Sequence, residues 1–127
     1  MKTMLAITFF THHIEGSIYF MAPLTLFFSL DIILLLYMFV QKKFSTNLVQ
    51  AFKHIGLLIL VFGALGTVTG FLQMFDALEA IKETLPIQVI AGGVKVALLN
   101  IVYATAYFSI IQAIYVGIKI ASPKQPA

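Results

Sequence analysis

The stretch IGLLILVFGALGTVTGFLQM, residues 55–74, decides the fold because small and hydroxyl-bearing residues interrupt an otherwise apolar run. Glycine inside a helix costs about 1 kcal/mol relative to alanine, so a run of glycines here needs a compensating use. Gly66, Thr67 and Gly70 stand three, four and seven residues after Gly63, so all four share one face of a helix. In lipid, small residues on a shared face let two helix backbones approach closely. We therefore predict that Gly63, Gly66 and Gly70 form a helix-packing surface.

The same stripe has a second interpretation, as a polar constriction. The Thr67 hydroxyl is uncharged, can both donate and accept a hydrogen bond, and costs little inside a membrane. Hydroxyl groups that face a narrow interior can pass or coordinate a proton or a sodium ion. The residues of this stretch alone leave the packing surface and the constriction both open.

The composition of the whole chain excludes a soluble domain. Of the 127 residues, 61% are hydrophobic and only 10% are charged, with a mean hydropathy of +1.01. A soluble domain of this size needs far more charge to cover its surface. The net charge of +3 is too small to indicate nucleic-acid binding, and the absence of cysteine excludes disulfides and thiolate metal sites. We therefore predict one integral membrane domain over residues 1–127, embedded in a lipid bilayer.

The chain contains three long apolar segments, and each can cross a bilayer core of roughly 30 Å, which needs about 20 helical residues. We predict helices over about residues 17–40, 55–78 and 87–118, and therefore an all-α membrane protein with three transmembrane helices. Strands are excluded because these runs are continuous and far longer than the roughly 10 residues of a barrel strand. The first residues, MKTMLAITFF, predict a short segment at the membrane interface.

The lysines predict the orientation of these helices. Three spans place the first loop and the carboxyl-terminal tail on one side of the membrane, and the lysines concentrate there: Lys42, Lys43, Lys53, Lys119 and Lys124. The positive-inside rule assigns lysine-rich short loops to the cytoplasm. We therefore predict a cytoplasmic carboxyl terminus and an amino terminus outside.

The third segment carries polar residues on two faces. Val96, Asn100, Tyr103 and Tyr107 follow one another at three- and four-residue steps and share one face. A second polar stripe, Thr105, Ser109 and Gln112, lies nearly opposite. A helix surrounded by lipid would not carry two polar stripes, so we expect this helix to be enclosed on both sides. Asn100 has a packing interpretation too, as an interhelical hydrogen bond worth about 1 kcal/mol.

Asp31, in LFFSLDIILLLY (residues 26–37), is the costliest residue to place in a membrane, at roughly 2.5–3.5 kcal/mol on insertion scales. An intramembrane acid is a candidate functional residue whose partner should be sought. At a comparable depth the third segment offers a polar stripe of Thr105, Ser109 and Gln112, and we predict that this stripe faces Asp31. A structural role, in which Asp31 holds two helices together, and an ion-handling role both remain open.

No pattern in the chain predicts an enzyme, a cofactor or a metal centre. His12 and His13 point apart on a helix, and His12 with Glu15 supplies at most two ligands, too few for a metal site. Lys95 lies near the outer end of the third helix, where its long side chain can anchor in the headgroups. There is no nucleotide-binding loop and no nucleophile–base set.

Three stretches resemble the MotA/TolQ/ExbB proton-channel family. GALGTVTGFLQMFDAL, residues 63–78, is similar to the family's second membrane helix, with its Gly-Leu-x-Gly-Thr-Val-x-Gly pattern. IAGGVKVALLNIVYATAYFSI, residues 90–110, is similar to the third helix, and the matching residues are Ala91, Gly93, Ala97 and Leu98. APLTLFFSLDIILLLYMF, residues 22–39, resembles the first helix more weakly.

The resemblance implies a ring of identical subunits, a pentamer, in the bacterial inner membrane, with the second and third helices lining a central channel. It also implies a partner, a single-span ExbD/TolR/MotB-like protein whose membrane helix sits in the channel and carries an aspartate. Proton or sodium flow would then drive movement between the two components of the motor. On this interpretation Thr67 matches the family's pore threonine, and Asn100, Tyr103 and Tyr107 complete the pore-lining face.

The chain departs from the family pattern at positions that bear on ion transport. Val96 stands where many members have glutamate, and Ile101 where they have a second threonine. The titrating acid would then have to come from the partner. The loop QKKFSTNLVQAFKH, residues 41–54, is also much shorter than the family's cytoplasmic domain.

Two other functions stay open from the residues themselves. A small proton-coupled exporter would use Asp31 as its proton-exchanging acid, although exporters of this size usually have four spans. A non-conducting membrane scaffold would use the glycines for packing alone.

Overall fold

The computed structural model describes residues 1–15 and 18–121, with side chains for residues 1–8 and 19–121. These residues form four helices in chain order: α1 (Lys2–Glu15), α2 (Ile18–Gln41), α3 (Thr46–Ala80) and α4 (Ile87–Ala121). The last three are long and apolar enough to cross a membrane, which confirms the predicted all-helical class with three spans. The orientation of the termini and the pentameric ring remain predictions.

α3 begins well before its apolar segment, because Ser45 caps it. The Ser45 backbone is extended, and its side chain accepts a hydrogen bond from the Leu48 N–H at 3.4 Å. A capping oxygen satisfies one of the amide groups that have no partner in the first turn of a helix. The polar residues that follow, including Asn47 and Gln50, therefore belong to the helix and extend it beyond the span.

Replacing Ser45 by alanine is expected to lower the free energy of unfolding by about 1 kcal/mol, because the Leu48 amide loses its acceptor. Thermal unfolding in detergent, followed by circular dichroism, measures the change. Ser45→Asp is the matched control, since aspartate is as good a cap as serine. Equal unfolding temperatures for Ser45→Ala and the wild type would show that the cap contributes nothing.

α3 is the central helix of the fold. It packs along α4 for most of its length and on α2 over a shorter stretch, whereas α2 and α4 share fewer contacts and α1 contacts α2. All three long helices contribute to one core of completely buried side chains, including Leu24, Met38, Phe52, Ile59 and Ile111.

The outer surface of the three long helices is apolar. Large side chains such as Ile33, Val61, Val68 and Val102 are 57–61% exposed. Lipid tails can cover such side chains, whereas water cannot do so favourably. The exposed apolar surface and the lengths of the helices together define an integral membrane protein.

Candidate functional site: the glycine seam and the Asn100 groove

Glycines of α3 meet small and branched residues of α4 at regular intervals, and we call this contact the glycine seam. Going up α3 by seven residues corresponds to going down α4 by seven, as expected for antiparallel helices in near-heptad register. The contacting pairs are Gly56 with Ile111, Gly63 with Ala104, and Gly70 with Ala97.

The closest approach in the seam is at Gly63. A Cβ atom added there would overlap the Cβ of Ala104 and lie 3.1 Å from the backbone oxygen of Asn100. At Gly70 an added Cβ would lie 3.2 Å from both Cα and Cβ of Ala97. Only glycine allows the two backbones to come this close, and close backbone approach is what holds helices together in lipid.

Gly66 faces a different helix. An added Cβ there would lie 3.0–3.1 Å from three atoms of Phe20, which belongs to α2. The Phe20 ring also packs on Phe62 of α3, with 5.6 Å between the ring centroids. The structure therefore divides the glycine stripe between two neighbours, α4 for Gly63 and Gly70 and α2 for Gly66.

Thr67 is half-buried beside the seam, and its hydroxyl is bound to its own helix. Its Oγ1 donates to the backbone oxygen of Gly63 at 3.1 Å. The hydroxyl oxygen keeps its acceptor lone pairs, so it can still contact a cation or a proton donor. That Thr67 lines a pore remains a prediction.

The predicted pore face of α4 lies largely inside the protomer. Asn100 is 1% exposed and Tyr107 is 8% exposed, while Tyr103 is half-buried against the core. Tyr107 stacks on Phe28 of α2, with 4.2 Å between the ring centroids. In a single protomer these side chains face the chain's own helices, so their role in a pore likewise remains a prediction.

The prediction that Thr105 and Ser109 face Asp31 is wrong. Both side chains are exposed, and their hydroxyl groups donate to backbone oxygens of their own helix, at 2.7 Å to Ile101 and Thr105 respectively. The stacking of Tyr107 on α2 turns this stripe away from the first span. Gln112 is half-buried, and its Oε1 atom is buried without a hydrogen-bond partner among the described residues.

Asp31 is completely buried at the core-facing side of α2. Neither carboxyl oxygen has a hydrogen-bond partner in the described part of the chain. Unpaired buried polar groups are rare in folded proteins and call for an explanation in function or in an interaction with another molecule. Asp31 therefore remains a candidate functional residue, without the predicted partners Thr105 and Ser109.

A cavity of about 340 Å³ opens between α3 and α4 at the Gly70–Ala97 end of the seam, and we call it the Asn100 groove. Small residues of both helices line it, together with the polar residues Gln73 and Asn100. The lining includes Gly70, Gln73, Gly93, Val96, Ala97 and Asn100. The Asn100 Oδ1 atom is buried and has no hydrogen-bond partner among the described residues. The groove is therefore bordered by a residue whose buried acceptor is unused within the described part of the protomer.

The described residues contain no group of three histidine, aspartate or glutamate side chains that could hold a metal ion. The side chains of His12, His13 and Glu15 lie outside the described ones. Lys95 is exposed on α4 near the Asn100 groove and makes an interaction of its own, so it is not a free charge.

The three long helices and the glycine seam place the protein among polytopic α-helical membrane proteins. The profile of the MotA/TolQ/ExbB proton channel family matches residues 38–120, well over half of the chain. The chain therefore belongs to the MotA/TolQ/ExbB proton channel family. Comparison with curated proteins and with solved structures finds no significant match.

The family match covers α3, nearly all of α4 and only the end of α2. The resemblances of the second and third helices lie within it, whereas most of the first-helix motif, including Asp31, lies outside. Sequence reasoning missed the seam partner at Gly56. The sequence pattern that could have predicted it is the seven-residue spacing of Gly56, Gly63 and Gly70, which matches the spacing of Ala97 and Ala104 on α4.

Proposed function

We propose that the chain is the channel subunit of an ion-gradient-driven motor in the bacterial inner membrane. Copies of the chain assemble as a ring, a pentamer, with α3 and α4 toward its axis. A proton or sodium current through the ring does work on a single-span ExbD/TolR/MotB-like partner. Family membership supports the channel role, and the Asn100 groove is the observation in the fold that carries the proposal.

The groove supports a pathway because it joins three properties in one place. It lies on the two helices that the family match covers, it leads to the seam, and the polar residues Gln73 and Asn100 are among those that line it. Gln73 and Asn100 are uncharged, so an ion or a hydrated proton can pass them without being held tightly.

The exposed stripe of Thr105 and Ser109 supports assembly with further copies. Hydroxyl groups on an otherwise apolar span gain little from lipid tails, and they are normally placed against another helix or a water-filled cavity. One protomer leaves this stripe uncovered. A neighbouring subunit or a central channel would cover it.

The need for a partner follows from the missing acid. Residues 47–75 and 87–121, which include the apolar spans of α3 and α4, contain no aspartate or glutamate. Asp31 lies on α2, buried within the protomer. An acid on the partner's membrane helix would supply the group that binds and releases the ion.

Thr67→Val tests the proposed pathway. Thr67 is placed on the pathway by the family resemblance, next to the Asn100 groove in sequence but not in its lining. Removing its hydroxyl is expected to slow ion flux about tenfold, equivalent to one lost hydrogen bond of about 1.4 kcal/mol in the passage barrier. The flux is measured as the collapse of an imposed pH gradient, and separately of a sodium gradient. Inside-out vesicles that hold the tagged chain and its co-purifying single-span protein serve as the sample.

Thr69→Val is the matched control for this experiment. Thr69 donates to the Leu65 oxygen at 2.9 Å much as Thr67 does to Gly63, but it lies on another side of α3. The control should leave flux unchanged, and both variants should keep the oligomer mass of the wild type. Wild-type flux in an assembled Thr67→Val ring would contradict the proposal. So would purification of the tagged chain without any co-purifying single-span protein.

The exporter remains a second candidate because of one observation, the buried and unpartnered carboxyl of Asp31. In that case Asp31→Asn would stop substrate-stimulated proton release, whereas Thr67→Val would not.

A further inference from the structure

We propose that a groove at the lysine-bearing end of the protein binds an anionic phospholipid, with an acyl chain in the groove and the headgroup phosphate on lysines. The site lies at the opposite end of α3 and α4 from the Asn100 groove. Binding there would anchor the end of α4 to the lipid, whether or not the chain conducts ions.

The groove is a cavity of about 350 Å³ between the ends of α2 and α4, and we call it the Gly117 groove. Its walls are almost entirely apolar and come from α2, the first loop and α4: Phe39, Phe44, Ile114, Gly117, Ile118 and Ala121. Phe39 and Phe44 pack edge to face, with 5.3 Å between the ring centroids, and form one wall.

Gly117 opens the groove. A Cβ atom added at Gly117 would meet nothing within 4 Å, in contrast to the glycines of the seam. The space therefore does not serve close packing inside the protomer. Its apolar walls and its position at the end of a membrane span suit an acyl chain.

Lysines surround the same end of the protein. Lys43 directly precedes Phe44, and Lys119 directly follows Ile118, so each is next to a lining residue. The Nζ atoms of Lys53 and Lys119 lie over the ring of Tyr115, at 5.3 Å and 5.8 Å from its centroid. The aromatic ring thus brings a lysine of α3 and a lysine of α4 together at this end.

No aspartate or glutamate side chain of the sequence is available to neutralise these lysines. Residues 32–75 and 84–127 contain no aspartate or glutamate, and Asp31 is completely buried. The remaining acidic residues are Glu15, Asp76, Glu79 and Glu83, which precede α2 or follow the apolar span of α3. The positive charge at this end is therefore left for an anion from outside the chain.

The occupant that fits both features is a lipid with an anionic headgroup. Basic pockets between the ends of membrane helices bind such headgroups, and each lysine near them contributes about fivefold in affinity. Inorganic phosphate would meet the lysines but leave the apolar groove empty. A second copy of the chain could fill the groove but would bring no aspartate or glutamate to this end, so the lysines would still lack an anion.

The test is lipid retention by the purified protein. The chain in a neutral detergent is incubated with equal amounts of dioleoyl phosphatidylglycerol and dioleoyl phosphatidylcholine, and bound lipid is counted by native mass spectrometry. The two lipids share their acyl chains and differ in headgroup charge. Wild-type protein should retain phosphatidylglycerol more than about tenfold over phosphatidylcholine, since at least two lysines contribute about fivefold each.

Two variants separate the two parts of the site. Lys43→Gln with Lys119→Gln should lower the preference for phosphatidylglycerol by more than tenfold in affinity, since two lysines are lost. Gly117→Leu should fill the groove and abolish retention of both lipids while leaving the unfolding temperature unchanged. The matched controls lie at the other end of the protein: Lys82→Gln, and Gly92→Leu, where an added Cβ also meets nothing within 4 Å.

Three results would overturn the proposal. Wild-type retention in the Lys43→Gln/Lys119→Gln and Gly117→Leu variants would show that lipid binds elsewhere or without specificity. Full displacement of the lipid by inorganic phosphate would show a site for the free anion. A change of oligomer mass in Gly117→Leu with the lipid preference intact would show that a second copy occupies the groove.

Discussion

Replacing Gly63 by alanine is expected to lower the free energy of unfolding by about 1–3 kcal/mol, the range for adding a methyl group to a tightly packed site. The new methyl would overlap the Cβ of Ala104, and the Asn100 backbone oxygen blocks a sideways shift. α3 and α4 would have to separate along the seam. Unfolding of the purified protein in detergent, by heat or by increasing amounts of sodium dodecyl sulfate, measures the loss.

The structure also provides a rescue for this variant. Adding Ala104→Gly to Gly63→Ala exchanges the two small residues across the seam and restores the space. Ala104→Gly alone should cost about 1 kcal/mol, because glycine is a poorer helix former than alanine. The double variant should therefore be more stable than Gly63→Ala, with a coupling between the sites of about 0.5–3 kcal/mol. Strictly additive effects would show that the two residues do not touch in the native protein.

Replacing Asp31 by leucine is expected to raise the free energy of unfolding by about 1–3 kcal/mol. Leucine has the same branched shape at Cγ, and it removes two buried oxygens that have no hydrogen-bond partner among the described residues. The same detergent unfolding experiment measures the gain. Asp31→Lys should do the opposite and prevent stable folding, because it places a longer side chain with an ammonium group in the core, where no counter-charge is available.

Asp31→Asn is the control that separates stability from function. Asparagine keeps the size and the polar character, so its stability should stay close to that of the wild type. A stable Asp31→Leu protein that has lost ion-coupled transport, together with loss in Asp31→Asn, would assign the carboxyl a role in handling ions. If leucine instead destabilises the protein while asparagine does not, Asp31 makes a hydrogen bond in the assembled complex.

The three spans were predictable because continuous apolar runs of this length have few other uses. The start of α3 was not, since residues 46–54 are too polar to read as part of a membrane helix. Ser45 carried the missing signal, because a serine before a helical stretch is a common cap. α1 lay outside the three predicted spans, and its place at the membrane interface remains a prediction.

The orientation of α4 could not be predicted because its two polar stripes are similar in strength. A helical wheel shows that Tyr107 and Ser109 lie on different faces, but not which face meets α2. The choice depends on shape: the flat ring of Tyr107 fits against Phe28, whereas the small hydroxyls of Thr105 and Ser109 are satisfied by their own helix. The faces toward a pore or a neighbouring subunit depend on other chains, so one protomer's sequence gives them only through the family resemblance.

The spacing of the seam has a mechanical consequence. Because each glycine finds its counterpart only at seven-residue intervals, α4 can slide along α3 to a new fit only by a step of about 10 Å, two turns of helix. Any smaller slip drives Ala104 into side chains that leave it no room. The two helices therefore resist sliding past each other, and a displacement of α4 against α2 is expected to carry α3 with it.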